Sequence, residues 1–367
     1  MPTLARGGLA RATLDTAQAV IAAGGAAIVA SPGGAMVPDL LRLRATHLQL
    51  PEWANPIWSR LNLPAKLAAS LRDSHVNIVH ARSPVAGWVA SALARRLKIK
   101  WLAMLHRPFV ARDVIGRLVE RRQSRADALV AVSDYVARDA QRHLSLIEDR
   151  LHVIPPGINF DRFDPALVRA DRVIRLAGEL RVPDGSHVVL CPARFERDRG
   201  QMILIEAIKR LNRSDVFCLL LGSTDQSTPF ERKLEQAIEA VDLQGRVQIG
   251  PDVEDMPAAY MLADVIVATG GKAQGFSRSM IESQAMGRPV VAVDGGGAAE
   301  AILPGTTGWL AAAGDAAALA EALAEAVALP AERRAELARA AQEHVRGRYG
   351  LSDCNRLLLQ LYERMTA

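Results

Sequence analysis

The sequence predicts an α/β protein of two doubly wound, parallel-sheet domains. Three observations carry that prediction. Short apolar runs alternate with amphipathic, helix-length stretches along almost the whole chain. The rhythm occurs in two series, and a breaker-rich joint, "PPGINFDRFDP" (Pro155–Pro165), lies between them. Strands joined through helices run parallel, with helices on both faces of the sheet. At 367 residues, half of them apolar, the chain is long enough for two domains that each bury a core.

In the first series the expected strands are Ala26–Ala30, His47–Leu50, Asn77–His80, Lys100–Leu105, Ala128–Val132 and Leu151–Ile154. Helical patterns fall at Ala10–Ala23, Pro84–Arg96, Val114–Arg125 and Asp134–His143. A doubly wound domain normally opens on a strand, yet the Gly7-Gly8 turn follows only "MPTLAR", so the first strand is expected to be short or missing. In the second series the strands are His187–Cys191, Val216–Leu221, Arg246–Ile249, Asp264–Ala268, Pro289–Val293 and Trp309–Ala311. Helices are expected at Gln201–Leu211, Phe230–Val241, Met256–Leu262, Arg278–Met286 and Ala316–Ala328. Two further helices, Ala331–Arg348 and Ser352–Met365, follow without another strand. The predicted domains are therefore 1–157 and 166–348, with 349–367 a helix packing back on the first.

Composition narrows the function. A chain this apolar offsets its ordering entropy by burial, so disorder is excluded as its main state. No run reaches the ~18 apolar residues of a membrane span, and Met1–Gly8 has no leader pattern. Cys191, Cys218 and Cys354 are scattered without CxxC spacing, which argues against disulfides and zinc. The expectation is a soluble protein of a reducing compartment. Charge is uneven: residues 1–157 carry 21 Lys+Arg against 11 Asp+Glu, while the remainder carries 24 against 29. A basic first half suits an anionic partner. Its few aromatics make base stacking, and so nucleic acid, a poor fit. A phospholipid surface or phosphorylated glycan fits better, with a solvated arginine-rich face as the plain alternative.

Ligands of open parallel sheets bind beyond the carboxyl ends of the strands. "PARFERDRG" (Pro192–Gly200) places Arg194 and Arg199 before a helix, an arrangement suited to a diphosphate and equally to an ordinary basic loop. "QGFSRSMIE" (Gln274–Glu282) offers Gly275, the amides of Phe276 and Ser277, and Glu282 as acceptor for a ribose diol; alone it also reads as a capped surface helix. "VDGGGAAE" (Val293–Glu300) nearly makes a dinucleotide fingerprint, but Glu300 stands where the third glycine belongs, which rejects NAD. His106 and Arg82 follow strands of the first series and are expected to face one cleft, although a lone histidine is commonly structural. No GxSxG, GxxxxGK[ST], HExxH or DxD occurs, so hydrolase, P-loop and metal-dependent readings lose support.

In this order the segments resemble glycosyltransferase family 4, whose signature runs roughly EGFGxxxxEAxAxGxPVVA. Here "QGFSRSMIESQAMGRPVVAVDGGGAAEAI" spans Gln274–Ile302, and "PARFERDRGQ" is similar to the family's GRxxxxKG. "AVSDYVA", "VIPPGINFDRFDP", "PTLARGGLARATLDTAQAV" and "VNIVHARSP" extend the resemblance over essentially the whole chain. The resemblance implies a GT-B fold and a retaining transfer of sugar from a UDP- or GDP-sugar, without metal or other cofactor. It implies that Glu282 takes the ribose, that Arg194 and Arg199 hold the diphosphate and neutralise the leaving group, and that the Gly275–Ser277 amides cap the phosphates. Gly7, Gly8 and Arg82 would approach from the first domain, and His106 would face the donor sugar. The implied acceptor is a cell-envelope glycan or glycolipid, as in lipopolysaccharide or capsule biosynthesis. The protein would then be cytoplasmic and docked on the inner face of the membrane through the stretch Arg107–Arg125. Gln274 stands where the family has its first glutamate, and Ala10 where many members carry an acid. These departures keep two alternatives in view: a degenerate GT-B protein that binds a nucleotide sugar without transfer, and a nucleotide-sugar epimerase.

Overall fold

The structure is a computed structural model, describing residues 1–51, 62–109, 114–144, 147–223 and 228–367. The chain divides into two compact units, Met1–Gly157 with Leu351–Ala367, and Ile158–Gly350.

In the first unit the strands form two parallel sheets. β1 (Ile28–Ser31) pairs with β2 (Thr46–Gln49), Ile28 opposite Thr46. β3 (Ile78–Ala81), β4 (Lys100–Leu105), β5 (Ala128–Ala131) and β6 (Leu151–Val153) follow one another in chain order. No strand precedes α1 (Gly8–Ala22) among the described residues. Instead Leu4 is fully buried, its N–H donating to Gly33 O (2.8 Å) and its carbonyl accepting from Met36 N–H (2.9 Å). Periodicity missed α2 (Val37–Arg42) and α3 (Leu63–Ser70), which are short and carry proline in their first turns. α4 (Pro84–Leu97) starts where sequence rules place it: Ser83 accepts from Ala86 N–H, Pro84 fits the first turn, and Lys98 stops it at φ 57°. The Val114–Arg125 helix is α-helical over α5 (Val114–Arg121) and tightens to a 3₁₀ turn at Arg122–Arg125. α6 (Asp134–His143) is capped by Ser133.

In the second unit, α7 (Ala170–Glu179) precedes a six-stranded parallel sheet. Its strands are β7 (His187–Pro192), β8 (Val216–Ser223), β9 (Val247–Pro251), β10 (Val265–Ala268), β11 (Val290–Val293) and β12 (Trp309–Ala311). The spatial order is β12-β11-β10-β7-β8-β9, the Rossmann order, which reverses between β7 and β10. Residues alternate between two cores. Val188, Leu190, Ile266, Val290 and Ala292 pack with Tyr260, Met280 and Tyr349 on one face. Val189, Cys191, Val265, Val267 and Val291 pack on the other with Leu204, Ile208, Leu319 and Leu323. The connecting helices are α8 (Gln201–Leu211), α9 (Pro229–Ala240), α10 (Met256–Leu262), α11 (Arg278–Ala285), α12 (Ala298–Ala301), α13 (Ala316–Val327) and α14 (Ala331–Arg348).

Two boundaries move. Ile158–Asp164, read as linker, belongs to the second unit: Ile158 N–H donates to Tyr349 O (2.8 Å), and Phe163 is buried. Tyr349 stays there too, its hydroxyl donating to Glu300 O (2.8 Å). The last helix, α15 (Leu351–Thr366), lies in the first unit, where Leu358 and Leu361 are buried and Tyr362 Oη meets His80 Nδ1 at 2.6 Å.

Candidate active site

The reversal between β7 and β10 opens a crevice at the strands' carboxyl ends, where open α/β sheets bind ligands. The loop after β7 carries Arg194 and Arg199, and the loop after β10 carries Gln274–Ser277. They are tied together. Thr269 Oγ1 donates to Arg199 O (2.5 Å), and Gly200 (φ 74°) lies so close to Thr269 that a Cβ would collide with its carbonyl. Gln201, fully buried, donates Nε2 to Arg194 O (2.9 Å) and Ala193 O (3.3 Å), fixing the start of the same loop.

Both candidate arginines turn to one carboxylate that sequence reasoning did not single out. Glu196 Oε2 accepts from Arg199 Nε (3.1 Å), and Glu196 Oε1 lies 3.6 Å from Arg194. Its spacing, two after Arg194 and three before Arg199, was the available signal.

Gln274, Phe276 and Ser277 line a small pocket with Gly270, Gly271, Met280, Gly295 and Gly297. The glycine run of "VDGGGAAE" is explained here by the neighbouring loop. A Cβ at Gly296 would strike Gln274 O, and one at Gly297 would strike Gly275 O. The close approach expected from those glycines is made to the Gly271–Gly275 backbone. Ser277 is the N-cap of α11, so the free N–H groups of that helix start beside the pocket.

Glu282, one turn into α11, is nearly buried and already has partners. Oε1 accepts from Arg278 Nε (3.1 Å), and Oε2 accepts from the Tyr260 hydroxyl (2.8 Å). Tyr260 is 1% exposed; burial first, then the Glu282 charge, raises its pKa well above the usual phenol range. The Arg278–Glu282 spacing was legible as an i,i+4 pair. Tyr260 was not, because an apolar helix disguises it as core. Behind the pocket, burial pushes the Cys191 thiol up to about 11, so it stays protonated.

The first-unit candidates are each set by their own fold. Gly7 (φ 140°) and Gly8 are exposed at the start of α1, a backbone that favours glycine at position 7. Arg82 is 5% exposed, and its guanidinium donates to Thr16 Oγ1 on α1 (3.2 Å), so it reaches inward rather than onto an open surface. His106 is partly buried with Nε2 enclosed; burial, and then the neighbouring Arg82 charge, lowers its pKa to about 3, leaving it neutral near pH 7. Ala10 is buried against Leu4, Leu14 and Met36, where a carboxylate would be desolvated. Among the described residues no group of three His, Cys, Asp or Glu side chains is placed to hold a metal ion, and no helix is long and apolar enough to cross a membrane.

Comparison with known proteins agrees with this fold. The model of "Glycosyltransferase Family 4" matches residues 6–162, and that of "Glycosyl transferases group 1" matches 175–344. A "D-inositol 3-phosphate glycosyltransferase" of Xylanimonas cellulosilytica is 30% identical over 79% of this chain and 72% of its own length. A protein of that name from Geodermatophilus obscurus is 29% identical, over 77% of this chain and 67% of its own. A glycosyltransferase structure from Rickettsia africae aligns with TM-score 0.84 at 26% identity, covering 97% of this chain and 94% of that one. The structure of Anabaena Alr3699/HepE in complex with UDP-glucose shares the fold with TM-score 0.87 at 20% identity, over 98% and 96% of the two chains. The architecture is thus that of the GT-B glycosyltransferases. This chain belongs to glycosyltransferase family 4 and is a glycosyltransferase enzyme.

Proposed function

We propose that the enzyme takes a glycosyl group from a UDP- or GDP-sugar and passes it, with retention of anomeric configuration, to an anionic acceptor. One observation carries this reading: at the sheet's switch point the loop bearing Arg194 and Arg199 is tied through Thr269 to the loop that leads into α11, on which Glu282 lies one turn in. Arg194 and Arg199 would bind the diphosphate and neutralise the oxygen released as the sugar leaves, and the Gly275–Ser277 amides would cap the phosphates. Glu282 would take the ribose hydroxyls. Gly7, Gly8 and neutral His106 would serve the donor from the first unit, and Arg82, turned inward to Thr16, would act on it only through its charge. The positive charge comes from side chains and helix dipole, so the reading calls for no divalent cation and no side-chain nucleophile.

For the acceptor, the basic first 157 residues favour a phosphorylated glycan or lipid-linked cell-envelope acceptor, such as lipopolysaccharide core or capsule. The relatives named D-inositol 3-phosphate glycosyltransferase favour a phosphorylated cyclitol as the second reading. Docking on an anionic inner-membrane face would use α5, where Val114 and Leu118 are 73% and 69% exposed beside Arg117 and Arg121. Part of the Arg107–Arg125 stretch, residues 110–113, lies outside the described residues.

Calorimetric titration with UDP, GDP and ADP, with and without Mg²⁺, tests the donor site. One diphosphate should bind independently of metal and lose affinity in Glu282→Ala. Transfer assays with inositol 3-phosphate and with lipid-linked acceptors, and NMR of the product anomer, then separate the acceptor readings and test retention. Product from donor alone would favour an epimerase. Binding without transfer to any acceptor, relieved by Gln274→Glu, would favour the degenerate reading.

A further inference from the structure

We infer that Glu196 is a built-in counter-ion for the diphosphate site, occupying Arg194 and Arg199 until phosphate oxygens replace it. The inference rests on the diphosphate reading proposed above. Both guanidiniums meet this one carboxylate, Arg199 Nε at 3.1 Å from Oε2 and Arg194 at 3.6 Å from Oε1, with Asp198 farther from Arg199 at 3.9 Å. As a stabilising device the arrangement is weak: Glu196 and Arg194 are 42% and 54% exposed, and ion pairs in water contribute little. Its position gives it another use.

The loop backbone is held at both ends. Gln201 fixes the Ala193 and Arg194 carbonyls, and Thr269 with Gly200 fixes Arg199. Exchange of ligand therefore needs only the Glu196 side chain to swing, through torsions that cross low barriers. Without an anion between them, two guanidiniums on one short loop would repel and splay. The carboxylate keeps them converged, so the site is preorganised for the donor. It also competes with the phosphates for the same donors, which weakens the hold on the nucleoside diphosphate product and speeds its release.

Glu196→Gln keeps size and hydrogen bonding but removes the charge; Glu196→Asp keeps the charge on a shorter reach. Titration of UDP and GDP, and of uridine and guanosine, onto the wild type, both variants, Arg194→Ala and Arg199→Ala makes the test. Glu196→Gln should bind the diphosphate roughly tenfold tighter, with nucleoside affinity unchanged. Its turnover should fall together with donor KM as release slows, and Glu196→Asp should lie between. Unchanged or weaker diphosphate binding in Glu196→Gln, while the arginine variants have lost it, overturns the counter-ion role alone. Full diphosphate binding in both arginine variants overturns the diphosphate reading and this inference with it.

Discussion

Glu282 shows what one side chain's partners decide. Its two oxygens are held by groups on different helices, Tyr260 on α10 and Arg278 on α11, so the carboxylate is aimed before any ligand arrives. Tyr260→Phe keeps the ring in its core and deletes only the hydroxyl, a loss of about 1 kcal/mol to a hydrogen bond. If Glu282 takes the ribose as proposed, donor KM should rise three- to tenfold with kcat nearly unchanged, since such binding is the same in ground and transition states; steady-state kinetics over donor concentration checks it. His80 and His106 give a pH signature. Burial, then the Arg82 charge, depresses both. Above the unfolded value of about 6.5 neither state binds the proton, and just below it only the unfolded chain does, so stability falls as pH drops below about 6.5, for His106 as far as about 3. Each histidine removes up to about 1.4 kcal/mol per pH unit in that window. Urea unfolding at pH 7.5 and 5.5 should give a clearly lower midpoint at 5.5, and equal midpoints would refute it.

At the scale of elements, most of the architecture was legible. The strands fall within a residue or two of their expected places because buried parallel strands are short apolar runs between breakers, as at Ala128–Ala131 and Val290–Val293. α7 escaped because its ten residues, rich in arginine, lack a side-chain cap and bury Leu176 alone. The loops were half legible. Arg194, Arg199 and Glu282 announce themselves as charges near glycines, and Glu196 was legible only through its spacing between the two arginines, whereas Thr269 and Tyr260 matter through partners distant in sequence. The triple glycine belongs to the same lesson. Gly296→Ala would combine a φ of 58°, strained by roughly 1–2 kcal/mol, with a clash on Gln274 O. It should lower the melting temperature by several degrees and abolish diphosphate binding, read by calorimetry beside a melt.

For the whole molecule, sequence gave the two-unit plan and the charge contrast, but not where the chain changes units. That depends on Ile158 and Tyr349 finding each other across 191 positions, a pairing local pattern does not encode. The charge contrast has a test at this scale. Exchanging Arg117, Arg121 and Arg122 for Glu should abolish cosedimentation with anionic vesicles while leaving UDP binding in solution unchanged. Equal sedimentation of variant and wild type would remove the membrane from the reading.

The contact between the glycine run and the Gly271–Gly275 backbone also limits how this enzyme could be re-engineered. The pocket wall is a two-piece casting: one loop supplies the side chains, the other the mould they set against. Grafting a donor-specificity segment from another family member onto positions 270–277 alone would bring a surface cut for a different mould. Segments 270–277 and 294–298 should therefore be exchanged as one cassette, and libraries that vary only the first should be rich in misfolded clones.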